Sequence, residues 1–235
     1  GFFSIFLKTI KDFEPDFIAA CFDLPEPTFR HKKYEEYKSQ RPPAPEELYK
    51  QIPVVKNLLK VLNVAIFSKK GFEADDLIGT ISKKVQNSNY NFETIILSGD
   101  LDILQLIDKK TKVYLSRGGK KNNVLYNESK VKEKYLGLKP EQLDDFRGLR
   151  GDPSDNIPGI SGVGQKTAIK LLNKFENIEN IYNQLETNED VDISKRVKNL
   201  LKKDKEKAIL SQFLAKIKKD IDIEIDYKKM KWGNY

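Results

Sequence analysis

Acidic side chains recur along this chain in four short clusters. Asp23 closes the apolar run FIAACFD. Glu73, Asp75 and Asp76 stand in GFEADDLIG, Asp100 and Asp102 in LSGDLDIL, and Asp152 and Asp155 in RGDPSDNIPG. Each cluster has an ordinary local use. Acidic residues in a helix's first turn complement its dipole, an aspartate in a turn accepts from nearby backbone amides, and Asp23 could simply end a strand before Pro25. Local uses do not explain four clusters at successive strand and turn ends. Gathered together, so many carboxylates would repel one another and raise their own pKa values. A bound cation removes that cost, and oxygen ligands in this number suit Mg²⁺ or Mn²⁺, hard ions that keep some of their waters.

The elements that must position these groups can be read from the apolar pattern. GFFSIFLKTIKDF reads as an amphipathic helix with Phe2, Phe3, Phe6, Leu7 and Ile10 inward. FIAACFD (17–23), NVAIF (63–67), ETIILS (93–98) and KVYLS (112–116) read as strands, the longer ones as buried strands of the parallel type. Helices are predicted from about Glu46 to Leu62, where Pro53 should bend or divide the run, and through FEADDLIGTISKKV. On that second helix Glu73 and Asp76, three apart, share a face. Strands alternating with helices imply an α/β core with a mainly parallel sheet, and such sheets place their sites beyond the carboxyl ends of strands. From about Lys139 the pattern is helical. No internal repeat is evident, and only the Lys-rich stretch 195–219 approaches low complexity.

A second constellation lies in GISGVGQKTA (159–168). Gly159, Gly162 and Gly164 permit tight backbone turns, and a helix begins at once. Its first amides, with Gln165, Lys166 and Thr167, can hold a phosphate. A plain helix-connecting turn is the simpler reading of the same residues. The spacing before Lys166 is wrong for a Walker loop, and no strand leads into it.

Composition narrows the classes. With 39% hydrophobic residues the chain can bury a sizeable core, and 33% charged residues imply a well-solvated surface. No apolar run approaches the ~18 residues of a membrane span, and no secretory signal pattern is present. The single cysteine, Cys21, cannot pair internally and reads as a buried thiol of a cytosolic protein. The lone His31 has no second His or Cys nearby to make a zinc site. Net charge is +7, from 42 Lys and Arg against 35 Asp and Glu; without the eight clustered carboxylates the excess about doubles. A basic exterior around one acidic spot suits a polyanion held by its phosphates while a few of them are processed at bound cations.

Longer motifs then match a known family. FDLPEPTFRHKKYEEYKSQRPPAPEEL, GFEADDLIGT, LSGDLDILQL and LRGDPSDNIPGISGVGQKTAIKLL resemble the 5′ nuclease (flap-endonuclease type) family found at the front of bacterial DNA polymerase I. The likeness runs from Gly1 to about Tyr227. It implies a PIN-like α/β nuclease core over residues 1–138, a helical arch within 28–50, and a helix-three-turn-helix DNA-binding region over 139–235. Carried over by motif, the metal ligands correspond to Asp23, Glu73, Asp75, Asp76, Asp100, Asp102, Asp152 and Asp155, directly or through water. The arch residues correspond to Arg30, Tyr37, Lys38 and Arg41, and the hairpin 159–164 resembles sites whose carbonyls bind K⁺.

The resemblance also implies an activity. DNA with a 5′ end or 5′ flap would be hydrolysed in the bacterial cytoplasm with two Mg²⁺ ions (or Mn²⁺) about 4 Å apart, one activating water and the other stabilising the departing 3′ oxygen. A polymerase domain could follow in the natural protein. In the family a further aspartate lies on a first strand upstream of the segment where this chain begins, which leaves a DNA-binding module without catalysis as the alternative. A phosphohydrolase of the haloacid-dehalogenase type needs a second Asp two residues after its nucleophile; after Asp23 that position is Pro25.

Overall fold

The computed structural model describes residues 1–116, 123–188 and 191–233. The chain divides into two compact units, one of Gly1–Lys32, Pro42–Asn91 and Lys218–Tyr235, the other of Lys33–Arg41 and Phe92–Ile217.

The first unit opens with α1 (Phe2–Phe13), closed by Glu14 in the left-handed conformation. Phe6 is buried with Leu59 and Val64, and Phe3, Ile10 and Trp232 pack against them. Phe2 and Leu7, expected inward, are instead 45% and 55% exposed. The apolar stripe of α1 is wider than the surface it rests on. There follow β1 (Ala19–Cys21), α2 (Phe29–Lys33), α3 (Glu46–Val61), β2 (Ala65–Phe67) and α4 (Ala74–Gln86). β1 and β2 pair in parallel, Ala19 opposite Ala65. α3 continues through Pro53 rather than dividing there. The proline removes one backbone donor, and the carbonyl it leaves belongs to Tyr49, a residue exposed enough for water to replace that bond. The C-terminal segment closes this unit, with Ile18 N–H donating to Met230 O and Trp232 N–H to Asp16 O, both at 2.8 Å.

In the second unit β3 (Thr94–Ser98) and β4 (Thr111–Leu115) pair in parallel, and β5 (Val124–Tyr126) adds antiparallel to β4. β5 has no counterpart in the sequence reading; three residues with an exposed first position carry too little alternation to register. Helices α5 (Glu128–Lys134), α6 (Leu143–Arg150), α7 (Gln165–Phe175), α8 (Ile178–Thr187), α9 (Lys195–Lys203) and α10 (Lys205–Ala215) complete it. α6 packs closely on both α8 and α10 at Gly148, where a Cβ would lie 2.5 Å from Ile178 Cδ1 of α8 and 2.9 Å from Gln212 Cβ of α10. The fold is α/β followed by helices, as expected, but the described strands lie in two small sheets of two and three strands. No helix among the described residues is long and apolar enough to cross a membrane.

Candidate active site

In the second unit an open cleft of about 510 Å³ is lined by Asp100, Asp102, Asp152 and Asp155 together with Arg147, Arg150 and Ser154. Three local structures build it. The turn after β3 places Asp100, whose Oδ1 accepts the Asp102 N–H at 2.9 Å, and a short 3₁₀ turn begins at Asp102. After α6, Asp152 caps a 3₁₀ turn, its Oδ1 accepting the Ser154 N–H at 2.9 Å and the Ser154 hydroxyl at 2.7 Å. Asp155 ends that turn and is buried. The ordinary turn roles of these aspartates are thus real, and the cleft is assembled out of them.

Basic side chains of the chain answer this charge. Arg147 bridges Asp102 and Asp152, one guanidinium nitrogen to each. Arg41 pairs with Asp155, and Lys38 Nζ lies 3.8 Å from the same carboxylate. Partial burial works against the Arg41 charge, yet Asp155 and, more weakly, Asp100 hold its pKa above the ordinary value. Tyr37 is buried against Ile157, Leu214 and Ala215, its hydroxyl 3.4 Å from Asp155. Segment 28–50 is therefore not one helical arch: it holds α2, a run of turns over 35–41 that docks on Asp155, and the start of α3.

The other four carboxylates belong to the first unit. Asp23, just past β1, accepts the Ala74 N–H at 2.7 Å and so ties the strand's end to the start of α4. Glu73 caps α4 and Asp75 sits in its first turn. Asp75 and Asp23, after burial itself, push the Cys21 thiol up to about 12, which keeps it protonated. Asp76 and Arg30 revise the sequence reading. Both are buried, and the guanidinium grips the carboxylate through two bonds of 2.7 and 2.8 Å. Asp76 also accepts the Lys218 N–H at 2.9 Å and the Glu73 N–H at 3.1 Å. Four donors saturate a carboxylate, so in this arrangement Asp76 offers no ligand position, and Arg30, buried beside it, presents no exposed face to a phosphate. Among the described residues no three His, Cys, Asp or Glu side chains are grouped so as to hold an ion. The donor set of the cleft is still all carboxylate oxygen, and cations of the chain are already seated on it. That chemistry fits a hard divalent metal.

The hairpin before α7 is also built by contacts that sequence does not announce. Gly159 N–H donates to the buried Ser211 hydroxyl at 2.9 Å and Ser161 N–H to Asp204 at 3.2 Å. Gly159 lies against Gly151, whose nitrogen would be 2.2 Å from an added Cβ. Gly164 caps α7 without a side-chain bond. The amides of Gln165, Lys166 and Thr167 therefore lack intrahelical partners, as the first amides of any helix do.

Two family models match the chain end to end: the 5′-3′ exonuclease N-terminal resolvase-like domain over residues 1–136, and the 5′-3′ exonuclease C-terminal SAM fold over 138–235. The chain belongs to the 5′-3′ exonuclease family. Among relatives of this family, DNA polymerase I of Chloroflexus aurantiacus is 40% identical across the whole chain, and that of Bacillus subtilis likewise 40%. The chain spans about a quarter of the length of these relatives, 24% and 26%. Among solved structures, the T5 5′-exonuclease with bound divalent metal ions (zinc) superposes with a TM-score of 0.72 over 90% of this chain and 78% of that one, at 21% identity. The catalytic core of Rad2 in complex with DNA substrate gives 0.54 over 92% of this chain and 67% of that one, at 17% identity. At such identities these likenesses speak for the fold.

Sequence reasoning passed over Arg147, Asp204 and Ser211. Arg147 sits in DDFRGLRGD among other charges, and only the turn at Asp152 brings it back onto an acid five residues on.

Proposed function

We propose that the chain is a structure-specific 5′-3′ exonuclease and flap endonuclease, hydrolysing phosphodiester bonds of DNA that carries a 5′ end or 5′ flap, in the cytoplasm. Its domains are the nuclease core over 1–138 and a helix-three-turn-helix region over 139–235. The observation that carries this reading is the cleft where Asp100, Asp102, Asp152 and Asp155 face Arg147, Lys38 and Arg41 within a chain of the 5′-3′ exonuclease family. Divalent cations, Mg²⁺ or Mn²⁺, would be held by these carboxylates and by Asp23, Glu73 and Asp75. When bound they would activate water and stabilise charge on the leaving oxygen. Lys38 and Arg41, anchored through Asp155, bring positive charge to the reacting phosphate, and Tyr37 fixes that anchor from its buried position. The exposed α7 amides with Lys166 and Thr167 take a backbone phosphate of the duplex, and carbonyls of the hairpin would accept K⁺.

The test is cleavage of a 5′-labelled flap. Activity should require Mg²⁺, and Asp100→Ala or Asp75→Ala should lower the rate at least about 10²-fold while duplex binding persists, since the basic surface is untouched. Equal cleavage in EDTA and in Mg²⁺ would sink the reading. The second reading, a DNA-binding module without catalysis, draws on the engagement of the carboxylates by the chain's own cations. It predicts binding with no cleavage at any metal concentration.

A further inference from the structure

Arg147 is a residue that no motif of the chain singles out, yet it occupies the centre of the acidic cleft. It rises from α6 and its side chain is 13% exposed, between Asp102 at 16% and Asp152 at 9%. Its two terminal nitrogens go to different carboxylates, one from the turn after β3 and one from the turn after α6. Guanidinium stays charged at any working pH, so the two aspartates share one compensating charge without any bound ion.

The bonding of Asp152 sets a metal and Arg147 against each other. Its Oδ1 already accepts both the amide and the hydroxyl of Ser154. Its Oδ2 is the oxygen held by Arg147. With three donors already on its roughly four acceptor positions, Asp152 has only a place on Oδ2 left, so an ion that reaches it meets the Arg147 charge on the same oxygen. Asp100 differs: it is exposed and gives one oxygen to the Asp102 amide, with no salt bridge to a basic side chain among the described residues.

We propose that Arg147 is the resident counter-ion of the cleft, a positioning residue that holds Asp102 and Asp152 together in the metal-free protein and competes with a divalent cation for them. The inference rests on the divalent-metal reading above. Its physical content is competition. Taking away one member of a nearly buried ion set leaves the others uncompensated, so without Arg147 the metal-free state should suffer and the metal-bound state much less. By linkage, whatever weakens the metal-free state selectively tightens the metal.

The test uses the full chain, freed of metal, as wild type, Arg147→Met and Arg147→Lys, without DNA. Mn²⁺ affinity is measured by titration with an electron-paramagnetic-resonance readout, and thermal midpoints are taken in EDTA and in Mg²⁺. Arg147→Met should bind Mn²⁺ about tenfold tighter or more, as removal of one charge-assisted competitor implies. Its midpoint should fall in EDTA and rise on adding Mg²⁺ by more than the wild type's does; Arg147→Lys, with one point charge, should lie between. An arginine that merely supports the fold would lower both midpoints together, leaving the Mg²⁺ shift and the Mn²⁺ affinity as in wild type. That outcome, or weaker Mn²⁺ binding, overturns the proposal while the metal reading stands. Absence of Mn²⁺ binding in all three proteins overturns both. If Arg147→Met does not fold in EDTA, the same criteria applied to Arg147→Lys decide the matter.

Discussion

At the scale of single residues, Lys38 shows how the fold spends conformational energy on a position that the proposed mechanism uses. Its φ is 57°, in the left-handed region that side chains rarely enter. The conformation is held because Lys38 N–H donates to Asp155 O at 2.9 Å. The ammonium then lies 4.9 Å from the Tyr37 ring centroid and 3.8 Å from the Asp155 carboxylate. A lysine placed at such cost should act on the reacting phosphate rather than on the duplex at large. Lys38→Ala should lower the single-turnover cleavage rate about 10²-fold, the usual effect of losing one pre-organised donor, and change duplex affinity by less than about threefold. A larger effect on affinity than on rate would mean that Lys38 belongs to the duplex track. Residue types and local spacing made the aspartates of the cleft legible, since a turn and a metal ask for the same side chain. Arg30 and Asp76 were not legible in their buried role: the pairing spans 46 residues, and the same two types would serve equally well in water or on a phosphate.

At the scale of elements lie the proposed duplex contact and the pH response. The hairpin 159–164 was visible in its glycines, but the parts of α10 and of the α9–α10 junction that hold it, Ser211 and Asp204, lie more than 40 residues on. Gly162 has φ +83°, and a Cβ there would meet Leu200 Cδ1 at 3.3 Å. Gly162→Val should strain the hairpin by roughly 1–3 kcal/mol and weaken duplex binding about tenfold, measured by fluorescence anisotropy, with the single-turnover rate at saturating protein little changed. Asp145 joins three helices: from α6 it accepts the Ile178 N–H at the start of α8 and the Gln212 side chain of α10. Burial, with Asp144 adding repulsion, pushes its carboxyl up to about 6, against the pull of those two donors and Lys216. Because the folded value lies above the unfolded one, folding takes up a proton. The stabilisation is full below about pH 4 and is lost as pH rises through about 6. Asp145→Asn keeps an oxygen for both donors, so it should flatten that decline and gain about 1–2 kcal/mol at pH 7 in urea titrations. An unchanged pH profile would show that Asp145 is ionised at no cost in the fold.

On the scale of the whole molecule, charge is what the sequence stated most plainly and what the fold rearranges most. The net charge is +7, yet Arg30, Arg41 and Arg147 are engaged with Asp76, Asp155, Asp102 and Asp152. Four of the acidic residues are thus held in short-range pairs, while lysines such as Lys166, Lys195, Lys202 and Lys203 stand exposed to solvent. Binding should then be dominated by phosphate neutralisation and counterion release, with log K falling linearly in log salt by about 0.9 for each phosphate engaged. Lys166→Ala should make that slope shallower by about one unit, since it removes one such contact. Asp100→Ala, which empties a place for metal but touches no phosphate of the duplex, should leave the slope as it was, and chelation with EDTA should not abolish binding. The measurement is duplex affinity for the three proteins at four or five salt concentrations in EDTA. If Asp100→Ala changes the slope while Lys166→Ala does not, the duplex is held at the carboxylate cleft through metal, and the hairpin before α7 is only the turn that joins two helices.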